Sequence, residues 1–272
     1  MADQWKADLV GVERTALVTL YLRAVESRSE DSILCDRAAA EAVRHLDAGL
    51  RSLRMRLTVG DRYLVVLRSR QLDMWAADFL ARYPDAVVVQ LGCGLDTRVF
   101  RLDPHPGVRW FDVDLPDVIG LRRRLFPGRE GYRTIGLSVL DPAWLEEVPA
   151  DRPVLVIAEG LLMYLAEDEV RRLLLRLTER FAHGTLLFDG VPPWVVWSSR
   201  RLPEIYGEFT MGWAVRDARE VERMNPRLHR AEEIAVISQY ALVPVRFYRL
   251  LYRMLDRFPP ARDTLRMFRF EF

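Results

Sequence analysis

The sequence predicts an α/β fold, doubly wound around a mostly parallel sheet, and three observations carry that expectation. The first is Val87-Val88-Val89-Gln90-Leu91, a short apolar run that leads into Gly92-Cys93-Gly94. Such a run bounded by glycine reads as a buried parallel strand, and the glycines permit a tight turn and close backbone approach to a ligand. The second is recurrence: runs at 108–113, 133–137, 154–158 and 185–189 alternate with stretches of helical spacing, the pattern of strand–helix–strand units. The third is what stands at the carboxyl ends of these strands: Gly92 to Gly94, Asp114, Ser138 to Val139, and Glu159. Parallel strands joined by right-handed crossovers open all these turns on one rim, where open α/β sheets bind their ligands.

Composition narrows the function classes. At 272 residues, half of them hydrophobic, the chain suits one elaborated domain with a sizeable core. A net charge of +1 leaves no global basic field for nucleic acid and no acidic tail. Lys6 is the only lysine, a bias that reads first as compositional and second as functional, arginine being the better carboxylate clamp. Cys35 and Cys93 make no disulfide framework, and no CxxC or histidine-rich cluster points to a metal. The first residues lack the apolar stretch of a secretory signal, and no run approaches the ~20 apolar residues that span a bilayer. The expected location is cytoplasmic.

Taken in order, residues 12–27 place Val12, Ala16, Leu20 and Val25 at helical spacing, and 36–46 place Ala39, Val43 and Leu46 on one face. In 63–82, Leu72, Trp75, Ala76, Phe79 and Leu80 form an apolar stripe closed by Pro84-Asp85. Pro116 starts a helix in which Val118, Ile119, Leu121 and Leu125 face inward, while Arg122, Arg123 and Arg124 read as a solvated face. Glu167, Asp168 and Glu169 load the first turn of another helix, favourably for its dipole, and Val170, Leu173, Leu174, Leu177 and Phe181 give its buried stripe. Residues 190–215 crowd together Pro192, Pro193, Trp194, Trp197, Tyr206, Phe209, Met211 and Trp213, as packing or as the lid of a substrate pocket. Further strands are expected near 234–239 and at 266–272, the latter alternating as a half-exposed strand does. The expectation is one domain over 1–272: a helical N-terminal layer (1–83), an α/β core (84–190), a lid (191–230) and C-terminal strands completing the sheet (231–272).

Asp114 lies about 20 residues beyond Gly94, where a carboxylate at the end of strand two accepts hydrogen bonds from ribose hydroxyls. The dinucleotide fingerprint asks for Gly or Ala where this chain has Thr97, so an NAD-type site is incomplete.

Together, Leu91-Gly92-Cys93-Gly94-Leu95-Asp96-Thr97-Arg98, Phe111-Asp112-Val113-Asp114-Leu115-Pro116 and Ile157-Ala158-Glu159-Gly160-Leu161-Leu162-Met163-Tyr164-Leu165 resemble the leucine carboxyl methyltransferase family. More narrowly, they resemble its bacterial tetracenomycin polyketide O-methyltransferase-like branch. The resemblance implies a class I S-adenosylmethionine (SAM) methyltransferase, with a Rossmann-like, seven-stranded, mostly parallel sheet and helices on both faces. It also implies an N-terminal helical layer and a lid insertion after strand five. It places Gly92 and Gly94 against the methionine part of SAM, and Asp114, beside Leu115, on the ribose. Ser138 and Val139 fall at the adenine, where the eukaryotic enzymes have Asp-Leu and where Asp141 is a possible substitute. Glu159 faces the cationic half of SAM. Arg68 pairs with its carboxylate, and Arg23 matches an earlier basic residue. Tyr164 matches a pocket tyrosine and, with Trp213, is assigned to the acceptor side.

Methyl transfer from a sulfonium is an in-line displacement, for which a protein supplies alignment and exclusion of water. A carboxyl acceptor, with a pKa of about 4, is already ionised, whereas a phenol, at about 10, gains from a general base. His45, His105, His183 and His229 stand away from the motifs, which tilts the expectation towards a carboxyl acceptor. The expected activity is O-methylation of a small polyketide-like or aromatic molecule, with S-adenosylhomocysteine (SAH) as product and no nucleic-acid or membrane partner. A catalytically silent SAM-binding protein and an NAD(P)-linked oxidoreductase are the alternatives.

Overall fold

A computed structural model describes residues 14–46, 59–201 and 210–272. Seven strands form one sheet: β1 (Val87–Leu91), β2 (Arg109–Asp114), β3 (Tyr132–Gly136), β4 (Val154–Ala158), β5 (Gly184–Gly190), β6 (His229–Ala235) and β7 (Arg266–Glu271). Their spatial order is β3-β2-β1-β4-β5-β7-β6. The first five run parallel, and β7 enters antiparallel between β5 and β6. The helices are α1 (Arg14–Glu26), α2 (Arg37–His45), α3 (Val59–Arg82), α4 (Arg98–Leu102), α5 (Pro116–Leu125), α6 (Glu167–Arg180), α7 (Pro193–Arg201), α8 (Ala218–Met224), α9 (Arg246–Asp256) and α10 (Pro259–Arg262).

Helices cover both faces of the sheet, which is why β1 and β4 read as continuous apolar runs. Val87, Val89 and Leu91 pack with Phe111, Val113 and Val156 against Val170, Leu173 and Leu177 of α6. Val88 faces the other way, with Leu155 and Ile157, against Leu67, Leu72, Trp75 and Phe79 of α3. A third cluster docks α1 and α2 on the rim, with Leu20, Ala24, Ala39 and Ala42 meeting Leu95, Val118 and Leu121.

Several expectations change on folding. β6 is His229–Ala235, earlier than 234–239, and Val236–Leu242 is a 3-10 turn. Met267 is buried together with Phe268 and Phe270, because β7 lies inside the sheet and is covered on both faces. Arg122 is not part of a solvated face: it is 1 % exposed and binds Asp112 at 2.5 Å, Tyr132 Oη at 2.7 Å and the Asp96 carbonyl at 2.5 Å. In 190–215, Val195 and Val196 are buried in a small cluster while Trp194 and Trp197 stay exposed. Tyr206 and Phe209, like Val12, lie outside the described residues. Among the described residues, no helix is long and apolar enough to cross a membrane.

Candidate active site

Strand register brings the site together. Gln90 of β1 pairs with Asp112 of β2 and with Ile157 of β4. Two residues further on, at the same level of the rim, stand Gly92, Asp114 and Glu159. Asp114 itself pairs with Gly136, which sets Ser138 two residues beyond, and Ala158 pairs with Phe188, which sets Asp189 beside Glu159. The gap between β1 and β4 is where the strand order reverses, the point at which open α/β sheets bind ligands.

A cavity of about 280 Å³ opens there. It is lined by Arg23, Arg68, Gly92, Gly94, Asp114, Leu115, Ser138, Val139, Glu159 and Tyr164, so the structure gathers ten of the residues singled out in the sequence. Gly92 and Gly94 take φ of +57° and +50°, a conformation that costs other residues free energy. A Cβ on Gly92 would come within 2.7 Å of Leu161 Cδ1, and one on Gly94 within 3.1 Å of Ala16 Cβ on α1. The turn is therefore glycine-dependent on steric as well as torsional grounds. Asp114 braces it: Gly94 N–H donates to Oδ2 at 2.6 Å and Leu115 N–H to Oδ1 at 2.7 Å.

Behind the cavity lies a buried ionic chain. Arg23 pairs with Asp36, Asp36 with Arg101, and Arg101 with Asp73 and Asp96. Arg98 pairs with Asp73, Asp96 and Glu159, and Arg68 joins Glu159 to Asp189. Four guanidiniums thus face five carboxylates, one negative charge in excess when all are ionised. Burial alone raises the Glu159 carboxyl, but Arg68 and Arg98 outweigh it and hold Glu159 below the usual carboxylate range. For Asp96 burial is likewise overcome, by Arg101, Arg98 and Arg23, and its carboxyl lies well below that range. At Asp189 burial wins over Arg68 and the carboxyl is raised. Burial also raises the Tyr164 hydroxyl, against the pull of Arg68.

Two assignments are corrected. Trp213 is 3 % exposed, packs 6.1 Å from Phe188 in the core and does not line the cavity. The aromatic crowding there marks packing at this position. Asp141 does not line the cavity; it caps the turn Pro142–Glu146 by accepting from Ala143 N–H at 2.9 Å. Sequence reasoning missed Thr15, Thr19, Gln90 and Asp96 on the cavity wall and Asp36, Ser69, Asp73, Arg98, Arg101 and Asp189 behind it. Asp189 was open to the rule that picked out Asp114 and Glu159, an acid at a strand's carboxyl end. Asp36 was open to the N-cap rule, since it stands just before α2 and caps it; Ser69, Asp73, Arg98 and Arg101 take decisive partners from distant elements.

The chain is similar to known proteins in sequence and in fold. The leucine carboxyl methyltransferase family model matches residues 16–178. The tetracenomycin polyketide synthesis O-methyltransferase TcmP of Streptomyces glaucescens is 42 % identical over 240 residues, 88 % of each chain. This chain belongs to the leucine carboxyl methyltransferase family. The methyltransferase is also 37 % identical to the S-adenosyl-L-methionine-dependent methyltransferase dpfgK of Gibberella zeae, over 88 % of this chain and 87 % of that one. Its fold matches a solved structure from Thermobifida fusca at TM-score 0.58 and 20 % identity, covering 92 % and 93 % of the two chains. It also matches magnesium protoporphyrin IX methyltransferase of Synechocystis, solved with SAH bound, at TM-score 0.50 and 12 % identity, covering 83 % and 94 %. The methyltransferase is SAM-dependent, and the nicotinamide alternative falls away.

Proposed function

We propose that this single-domain methyltransferase places SAM in the rim cavity and methylates an oxygen of a small polyketide-like or aromatic molecule, a carboxylate before a phenol. The observation that carries the reading is the level placement of the Gly92 turn between Asp114 and Glu159 in one cavity. The likeness to TcmP, an O-methyltransferase of tetracenomycin polyketide synthesis, supports the acceptor class.

The lining fits the cofactor. Gly92 and Gly94 line the cavity without side chains, so the backbone itself can approach a ligand, and the Asp114 oxygens suit ribose hydroxyls. Glu159 Oε1 accepts from Arg68 Nε at 2.9 Å and Ser69 Oγ at 2.8 Å, and Oε2 from Arg98 Nη2 at 2.5 Å. A carboxylate has about four acceptor sites, so Oε2 keeps one for an ammonium. Arg68 spends Nε on Glu159 and Nη1 on Asp189, which leaves Nη2 for the ligand carboxylate. When bound, SAM supplies a methyl group already activated on its sulfonium. Val139, Leu161 and Leu165 exclude water beside it. Tyr164, its hydroxyl held protonated by burial, donates a hydrogen bond that orients the acceptor oxygen. No histidine lines the cavity among the described residues, which suits an acceptor already ionised.

Calorimetry with SAH, followed by labelled-methyl transfer to a panel of carboxylic acids and phenols, tests this. SAH binding with transfer to at least one acceptor is expected, acids ahead of phenols. Binding without transfer to any of the panel points to a silent SAM-binding protein, and absence of SAH binding would falsify the site.

A further inference from the structure

Glu159 is held by two cations that differ in one respect. Arg68 lines the cavity and divides its charge between Glu159 and Asp189. Arg98, at the start of α4, is 0 % exposed and does not line the cavity. Its fork spans the site from behind, with Nε 2.5 Å from Asp73 Oδ1 and Nη2 2.5 Å from Glu159 Oε2. Nη1 lies 2.9 Å from Asp96 Oδ2, within reach of charge attraction but off the line of a hydrogen bond. A ligand carboxylate draws on Arg68. Arg98 has no such competitor.

We infer that Arg98 is a positioning residue: it touches no ligand, and it keeps Glu159 ionised and aimed at the cationic half of the cofactor while Arg68 turns to the cofactor's carboxylate. The inference rests on the site reading above, in which Glu159 meets that cationic half. Arg68 and Ser69 of α3, Arg98 of α4, Asp96 after β1 and Asp189 of β5 are the groups that face Glu159. Without Arg98, burial and the neighbouring Asp96 both push the Glu159 carboxyl up towards neutrality. Glu159 then takes up a proton at a higher pH than in the native site, and cofactor affinity falls more steeply towards acid.

The test is SAH affinity by calorimetry from pH 8 down to 5.5. Arg98→Gln is expected to lose affinity towards acid by about tenfold more than the native protein does. Glu159→Gln is weak at every pH, and adding Arg98→Gln to it brings no further pH dependence. The inference is overturned if Arg98→Gln behaves as native, if it weakens by the same factor at every pH, or if its pH dependence persists in the Glu159→Gln background. Native affinity in Glu159→Gln instead sinks the site reading itself, so the two failures are distinct. Should Arg98→Gln not fold, Arg98→Lys keeps the charge inside but cannot span Asp73 and Glu159 together. It is expected to weaken SAH severalfold with the native pH profile, and native affinity in that variant overturns the inference.

Discussion

At Glu159, desolvation and ion pairing oppose each other, and pairing wins because two guanidiniums and a serine hydroxyl reach it. Losing that charge removes a charge-assisted contact worth about 1.5–3 kcal/mol. Glu159→Gln is therefore expected to weaken SAH binding by roughly tenfold or more in calorimetry. Gly92 answers to sterics. With φ at +57° and Leu161 Cδ1 in the way of a Cβ, Gly92→Ala should cost about 1–3 kcal/mol in urea denaturation and weaken SAH binding as well. An alanine variant of native stability and affinity would show that the turn tolerates a side chain.

Asp36 shows how one side chain ties elements together. It caps α2 by accepting from Ala39 N–H at 3.0 Å, pairs with Arg23 of α1 at 3.1 Å and Arg101 of α4 at 3.0 Å, and accepts from Thr97 Oγ1 at 2.5 Å. It is 0 % exposed. Asp36→Ala takes from buried Arg23 its carboxylate partner and from Arg101 one of three, and breaking a buried ion pair costs about 3–5 kcal/mol. The expected result is a urea midpoint lowered accordingly, with SAH affinity also reduced because Arg23 and α1 border the cavity. A midpoint within the native error would show that water solvates these arginines instead. Helix α3 was legible from its apolar stripe and Arg68 from the family resemblance, yet the partners of Arg68, Ser69 and Asp73 come from the end of β4, from β5 and from α4.

The molecule as a whole carries buried carboxylates of both kinds, so its acid response has two parts. Asp112 and Asp189 are raised by burial, only partly offset by Arg122 and Arg68 respectively. They take up protons in the folded state first, so their contribution to stability grows as pH falls from neutral towards the unfolded value of about 4. Glu159 and Asp96 are lowered. Their contribution is fully present above the unfolded value of about 4 and is lost as pH falls through their folded values. Urea midpoints measured from pH 8 to 3 should therefore hold or rise to about pH 4 and then drop. A steady fall beginning near neutrality would contradict this balance. Saturating SAH should raise the thermal midpoint, by about 2.7 kcal/mol of added stability at a hundred times its dissociation constant.

How much of this was readable beforehand follows from the range of each interaction. The strand at 87–91, its glycine turn, and the acids Asp114 and Glu159 are local patterns, because strand burial and backbone freedom depend on residues a few positions apart. The chain by itself therefore determined the parallel core, the rim and the family. The folded structure alone decided that Trp213 fills the core, that Arg122 turns inward and that Arg98 stands behind Glu159. Those outcomes depend on ion pairs and packing between segments tens of residues apart in sequence, which meet only once the sheet has set their register.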